Sequence, residues 1–482
     1  MTIPRFSLGA LSPAQVLVGL WQVADMERAG PLDPDVAASH LAAYADHGLD
    51  TFDMADHYGS AEIIAGRAAA LRPGKTLSFT KWCPEPGPMT AEVVRAGVSE
   101  RLARLGVERV DLLQFHWWSF EHPAWLDALH HLKTLRAEGV IGEIGVTNFD
   151  AAHLRVALAD GVPLVSNQVS CSLIDRRARG DLKAVADAFG VKLLAYGTLC
   201  GGFLTDKWHG AAAPADIPDW SGMKYRRFID AGGGWDALQH VLNAAATVAE
   251  RHGASIANVA TRWVLDLPHV GGIIIGARLG EREHRGDTAR LSELHLTDAD
   301  RATLEDAFTA LTPIPGDCGD EYRTPPFLTA SGDLSHHLES LPSAYHAEPV
   351  PGRPQRLRVS SGSVWEPIAG YSRAIRVGSR VLVSGTTATH GSEHVVAPDD
   401  AGAQTTYILD KILGALRALG AGPEDVVRTR VLLRDIADWE PASRAHGRVF
   451  GDVRPANTLL AVGDLVGDYR VEIEAEAVID EA

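Results

Sequence analysis

Cysteine is scarce in this 482-residue chain: Cys83, Cys171, Cys200 and Cys318 are scattered, with no CxxC pair. Such spacing argues against a disulfide framework and against a thiolate metal site, and it suits a reducing cytoplasm. A basic surplus is missing as well. With 45 Lys and Arg against 62 Asp and Glu, the formal net charge is −17. Nothing offsets phosphate charge, so a nucleic-acid partner is not expected. No segment approaches ~18 continuous apolar residues, so no membrane span is expected either. The opening MTIPRFSLGALSPAQVLVGLW interrupts its apolar residues with Pro4, Ser7, Ser12, Pro13 and Gln15, which argues against a secretory signal. No apolar run is followed by GxGxxG, since Gly139, Gly142 and Gly145 have the wrong spacing for it.

What is present is ordinary globular material, 46% hydrophobic and 22% charged, with length enough for about two to four domains. From residue 16 to 311, short apolar runs alternate with stretches patterned as helices. The runs are 16–20, 49–52, 76–80, 110–115, 142–146, 165–169, 192–195 and 272–275. Helical spacing marks 35–47, 91–105, 125–138 and 182–189, and Gly48, Gly106, Gly139 and Gly190 follow these segments where helix C-caps are expected. Strand–helix alternation requires parallel strands joined by crossovers. Eight units over this length predict an α/β fold, a (β/α)8 barrel in preference to an open doubly wound sheet.

Reacting groups in such a barrel sit where strands end on their C-terminal side. The second run ends at Asp53, with His57 and Tyr58 in the loop beyond; the third ends at Lys81 and the fourth at His116. Reduction of a carbonyl suits this set. Hydride arriving at the carbon leaves an alkoxide, which needs a proton from a nearby group. A free tyrosine, pKa about 10, is a poor acid. A lysine ammonium ~4–6 Å away lowers that value by roughly 1–3 pH units. Asp53 would keep Lys81 charged and oriented, and His116 would hydrogen-bond the substrate oxygen. Plainer readings stand beside this one: a rim salt bridge between Asp53 and Lys81, and a core histidine at His116. A metal bound by Asp53, His57 and His116 is a further alternative, although no metal is expected. Trp21, Trp82, Trp117 and Trp118 follow barrel strands and are expected to line a substrate pocket. Residues 197–234, poor in periodicity and carrying Lys207, Lys224, Arg226 and Arg227, read as a loop covering a cofactor or as a surface excursion.

GLDTFDMADHYG, FTKW, DLLQFHW, IGEIGVTNF, SNQVSCSL, LLAYGTLCGGFL and GGIIIGAR occur in this order. Over about residues 10–311 the chain thereby resembles the aldo-keto reductase family. The resemblance implies a catalytic tetrad of Asp53, Tyr58, Lys81 and His116. It also implies a nicotinamide site, with Thr147, Asn148 and Gln168 on the carboxamide and Tyr196 stacked on the ring. The backbone of Gly197, Leu199 and Gly201 would approach the pyrophosphate. Arg278 and, in GEREHRG, Arg282 would clasp a 2′-phosphate, because guanidinium pairs well with phosphate; the implied cofactor is NADPH. Gly286 departs from the family pattern, where an amide side chain often contacts adenine.

Residues 312–358 are rich in Pro, Gly, Ser and His and read as an irregular tail and linker between a barrel of 1–311 and a second domain of 359–482. In the second domain, 374–377 and 381–384 flank Gly378 and Ser379 as a hairpin. A helix is expected over 399–419, with Ile408, Ile412, Leu416 and Leu419 near one face. Strand 426–433, helix 439–450, run 458–462 and strand 470–478 complete a β-β-α-β-α-β-β order. Its helices share one face of the sheet, and self-association would cover the other. Over about 370–480 this unit resembles the Rid (reactive-intermediate deaminase) family, an α+β fold of chorismate-mutase-like type. That family grips a substrate carboxylate with an arginine, where this chain has Pro455-Ala456-Asn457-Thr458. Asn457 makes no bidentate ionic clamp, so a non-hydrolytic role in oligomerisation or ligand binding is implied. Glu472, Glu474 and Glu476 share one face, either as a family-like acid or as a solvated interface. The expected whole is a cytoplasmic NADPH-dependent reductase of an aldehyde or ketone, homotrimeric through its C-terminal domain. Reduction of an imine, or of a carbonyl released from one, and a cofactor-sensing scaffold are the alternatives.

Overall fold

The structure, a computed structural model, describes residues 3–23, 32–280, 284–329 and 334–480. Strands β1 (Val16–Gly19), β2 (Thr51–Asp53), β3 (Leu77–Trp82) and β4 (Val110–Phe115) are followed by β5 (Ile141–Thr147), β6 (Leu164–Ser170), β7 (Lys192–Tyr196) and β8 (Val270–Gly276). All eight are parallel, and β1 pairs with both β2 and β8, so the sheet closes into a barrel. Helices α1 (Pro34–Ala45), α2 (Ala61–Leu71), α3 (Ala91–Leu105), α4 (Ala124–Ala137), α5 (Ala151–Ala159) and α6 (Asp181–Phe189) connect the first seven strands. Local chemistry sets their ends. Asp33 and Thr90 cap α1 and α3 with their side chains, while Gly106 and Gly190 close α3 and α6 in the left-handed region.

Between β7 and β8 lie α7 (Trp220–Ala231), α8 (Gly234–His252) and α9 (Ile256–Leu265). The stretch 197–234 is therefore no plain loop. Its sequence WSGMKYRRFIDA buries only a narrow stripe, including Lys224, Tyr225 and Phe228, and a stripe that mixes charge with aromatics hides its helical period. After β8 come α10 (Arg285–Arg290), α11 (Asp298–Ala307) and the single turn α12 (Asp320–Arg323).

The linker reading of 312–358 needs correction. Besides α12, it contains β9 (Ala347–Val350) and β10 (Arg353–Val359), and β10 pairs antiparallel with β11 (Ala374–Val377). RPQRLRV is exposed along its first half, so alternation that would betray a strand is absent from its side chains. The C-terminal unit continues with α13 (Trp365–Ala369), β12 (Arg380–Thr387), the short hairpin β13 (Thr389–His390) and β14 (His394–Val395), and α14 (Ala401–Ala418). Strand β15 (Val426–Leu433), helix α15 (Trp439–Phe450), β16 (Ala456–Ala461) and β17 (Val471–Val478) end it. Its sheet runs β16-β15-β17-β12-β11-β10-β9.

Helix α14 departs from the amphipathic expectation: every residue of 403–416 is buried. One side lies on the sheet and the other against α5 of the barrel, so two apolar surfaces are covered at once. Ion pairs seal the seam. His153 Nδ1 lies 2.6 Å from Asp150 and its Nε2 3.0 Å from Asp410 of α14, while Arg448 reaches Asp150 at 3.0 Å. Burial alone would lower the His153 pKa, but Asp150 and Asp410 outweigh it and hold the imidazole above its ordinary value. Among the described residues no helix is long and apolar enough to cross a membrane.

Candidate active site

A cleft of about 850 Å³ opens at the C-terminal mouth of the barrel, at the upper end of the ~300–1,000 Å³ found for small-molecule and cofactor sites. Strand alternation decides what enters it. Asp53, Lys81 and Gln114 point inward, and they meet. Lys81 Nζ donates to Asp53 Oδ2 at 2.6 Å and to the Met54 carbonyl at 2.9 Å. The other Asp53 oxygen accepts from Gln114 at 3.2 Å and from Gln168 at 2.7 Å. Lys81 Nζ also lies 5.3 Å from the centroid of the Tyr58 ring. Tyr58 is packed edge-on against Trp21 and His57, at 4.9 and 4.8 Å. The four expected reacting groups therefore line one cleft. The alternative donor set for a metal does not assemble: Asp53 is held by nitrogens, and His57 Nδ1 is engaged at 2.9 Å by Asp56 instead.

His116 is buried, with Nδ1 3.3 Å from the Thr147 carbonyl. Burial holds this imidazole well below its ordinary pKa, and the charge of Arg323 lowers it further. A neutral ring that donates from Nδ1 leaves Nε2 as an acceptor. That atom has no hydrogen-bond partner among the described residues although His116 lines the cleft. A buried polar atom is seldom left so, and a cleft ligand would satisfy it.

The expected wall of four indoles is halved. Trp21 and Trp118 line the cleft, Trp118 against His116 at 4.4 Å. Trp82 and Trp117 do not. Each directly follows an inward residue, Lys81 or His116, so the two-residue period turns it outward. Trp82 packs against α3 at Gly97, and Trp117 stacks on Phe115 with Nε1 donating to the Ser119 carbonyl.

Every described residue assigned to the dinucleotide lies on the cleft: Thr147, Asn148, Gln168, Tyr196, Gly197, Leu199, Gly201 and Arg278. Arg282 falls outside the described residues. Gly197 has φ of +70°, and a Cβ there would collide with Tyr225 of α7; glycine alone permits this approach of backbone to the cleft. The donor set fits a nicotinamide dinucleotide: amide side chains at one end, open backbone in the middle and a guanidinium after β8.

The tail beyond the barrel also reaches the site, which sequence spacing did not disclose. Arg323 donates to the Asn148 and Trp117 carbonyls at 2.6 and 2.7 Å, and Glu321 accepts from Arg177 at 2.9 Å. These anchors hold Tyr322 in the cleft wall, 5.5 Å from the His116 ring, with its hydroxyl accepting from Lys224 at 2.6 Å. The only signal was an acidic-aromatic-basic cluster, DEYR, inside a Pro- and Gly-rich stretch.

The second candidate region is divided between the two faces of the C-terminal sheet. Glu474 and Glu476 pair with Arg430 on the open face of the sheet, at 2.7 and 3.4 Å. Asn457 lies in register with Thr429 and accepts from its hydroxyl at 3.2 Å, on the opposite, helix-covered side. Within one chain, Asn457 and the glutamates do not share a site.

Comparison with known proteins gives two matches. Residues 15–308 match the model described as Aldo/keto reductase family, and residues 362–479 match that described as Endoribonuclease L-PSP. The chain is similar to the NADH-specific methylglyoxal reductase of Escherichia coli, 25% identical over 308 residues, 58% of this chain and 90% of that protein. Its C-terminal part is similar to an uncharacterized protein of Streptomyces coelicolor, 40% identical over 119 residues, 25% of this chain and 87% of the relative. Among solved structures, a glycerol dehydrogenase from Gluconobacter oxydans superposes with a TM-score of 0.56 at 26% identity, covering 66% of this chain and 98% of that one.

Proposed function

Because the chain belongs to the aldo/keto reductase family, with a Rid-type domain joined behind its barrel, we propose that it reduces an aldehyde or ketone to an alcohol with Tyr58 as the proton donor. The observation that carries this reading is Lys81, held at 2.6 Å by Asp53 and 5.3 Å from the Tyr58 ring centroid. A nicotinamide cofactor, when bound, supplies the hydride. The chain's residues do the rest. The buried ammonium favours the phenolate that remains after Tyr58 gives up its proton, because opposite charges attract strongly where water is excluded. Asp53, with Gln114 and Gln168 on its second oxygen, fixes the lysine in place. His116, neutral and donating from Nδ1 to the Thr147 carbonyl, offers Nε2 to the hydroxyl of the alcohol product; it has no proton to give to the carbonyl itself. Trp21, Trp118 and Tyr322 shape an apolar wall beside it.

For the cofactor we favour NADPH, supported by Arg278 on the cleft after β8. A relative that is NADH-specific by name makes this a point to measure: kcat/KM for NADPH should exceed that for NADH, and Arg278→Ala should narrow the ratio at least about tenfold, the worth of a charge-assisted phosphate contact. The C-terminal sheet presents Leu382, Leu432 and Leu460 beside the paired charges of its open face, which supports a homotrimer; light scattering on the full chain reads its mass.

The deciding experiment follows NADPH absorbance with a panel of aldehydes and ketones, with and without ammonium or amines. Turnover that Tyr58→Phe abolishes supports the proposal. Turnover that depends on an amine moves the assignment to imines. Tight NADPH binding with no turnover on any carbonyl or imine overturns it in favour of a sensing scaffold.

A further inference from the structure

Three imidazoles and two carboxylates gather between the barrel and the C-terminal unit, some way from the cleft residues in sequence. His130 and Asp127 come from α4, Asp160 ends α5, and His390 and His394 flank the turn of the β13–β14 hairpin. Asp160 is the centre. Its side chain is 1% exposed, and it accepts from His130 Nε2 at 2.8 Å, from His394 Nε2 at 2.9 Å and from the Ala397 amide at 3.1 Å. His390 stands beside them, ring centroid 5.7 Å from that of His130, held between Asp127 at 2.8 Å and the Tyr407 hydroxyl at 2.7 Å.

The charge balance of this cluster is unusual. Asp160 occupies the C-cap of α5, where the helix dipole already concentrates negative charge. A cation beside that carboxylate would offset both charges. Among the described residues, its ion-pair partners are His130 and His394 alone. The donor geometry suits such an ion. His130, Asp160 and His394 present one ligand atom each within 4.8 Å of one another. Donors about 2.0–2.1 Å from a tetrahedral ion stand about 3.3 Å apart, close to the 2.8–3.1 Å separations seen between the carboxylate and the two rings. The Ala397 amide orients the carboxylate from behind, as outer-shell partners of metal ligands do.

We propose that His130, Asp160 and His394 form a site for a zinc-class divalent cation that joins the barrel to the C-terminal unit, with solvent at the fourth position. Two imidazoles and a carboxylate are the ligand chemistry that zinc takes. Because one imidazole comes from the hairpin and the other two ligands from the barrel, the bound ion clips the two units together. The reading of the cleft as a reductase site plays no part in this, so either can fail alone. The expectation from sequence that no metal is bound weighed Cys spacing and one set at the barrel rim, Asp53, His57 and His116; here the ligands are 30 and 234 residues apart, beyond the reach of any short motif.

The test uses the full chain, stripped with chelator and kept reduced, titrated with ZnCl2 by calorimetry and with CoCl2 by visible absorbance. One ion per chain is expected, with the d–d band of four-coordinate cobalt and a rise in thermal midpoint, since an ion that binds only the folded chain stabilises it by mass action. His394→Ala, at a side chain that is half exposed, should weaken binding by more than about tenfold, as even outer-shell losses cost ~10–100-fold; His130→Ala should do the same. Asp56, His57 and Cys83 form the other candidate donor group among the described residues. Binding that survives His394→Ala and His130→Ala but is lost in Cys83→Ser would overturn the proposal, as would the absence of any tight ion in the unaltered chain.

Discussion

The mouth of the barrel and the open face of the C-terminal sheet both carry charged residues at strand positions, yet they treat them in opposite ways. At the barrel mouth Asp53 and Lys81 are buried, both Asp53 oxygens accept hydrogen bonds, and two cleft atoms, His116 Nε2 and Gln22 Oε1, are left without a partner among the described residues. On the sheet, Glu474, Glu476 and Arg430 are at least a quarter exposed at their side chains and satisfy one another. Burial multiplies the worth of each contact, because water no longer screens it. The contrast teaches where chemistry is to be sought: polarity alone marks both regions, but only one combines burial with an unmet hydrogen-bonding need.

Substitutions can break or sharpen that contrast. Tyr58→Phe should cost the largest factor, about 10²–10⁴ in kcat, the usual worth of a positioned proton donor, with cofactor affinity retained in a fluorescence titration. Asp53→Asn should follow. It leaves Lys81 charged and unpaired, which costs about 3–5 kcal/mol when one partner of a buried pair is removed; denaturant unfolding measures it, and activity should fall in parallel.

A third test addresses the seam between the units. The folded-state pKa of His153 is raised by Asp150 and Asp410 against the opposing effect of burial. Its contribution to stability is thus complete below the ordinary imidazole pKa of about 6.5 and is lost as pH rises through the raised folded value. The wild-type thermal midpoint should drop across that alkaline window, by an amount that His153→Gln removes; an identical profile in the two proteins would contradict the ion-pair reading. Next in size is Tyr322→Ala, expected to change substrate preference and raise KM by about tenfold through a lost pocket contact, with kcat changed less. Glu474→Gln should do least. A surface pair is worth ~0–1 kcal/mol, so stability should stay within that range and turnover should not change; a loss of turnover would bring the sheet face into the catalytic account.

Much of the barrel was legible because its signals are local. Runs of β-branched residues, caps such as Thr90 and glycines such as Gly106 act within one turn of the chain, and 91–105 and 110–115 are found at their predicted bounds. The positions of Asp53, Lys81 and His116 followed from one rule about strand ends. The indoles show where that rule stops: Trp21 and Trp118 enter the cleft, and Trp82 and Trp117 turn away, because adjacent residues on a strand face opposite sides. Helix α7 and strand β10 were hidden by side chains whose burial does not follow a clean period.

By itself, then, the order of residues determined the closed parallel barrel, the α+β unit behind it and the groups carried to the rim, since hydrophobic period and strand-end position are properties of neighbours in the chain. Only the tertiary structure decided that Tyr322 enters the cleft, that α14 is covered on both sides, and that Asp160 meets His130 and His394. Those contacts join residues far apart in sequence, and their free energy exists only once packing has excluded water and brought the partners within bonding distance.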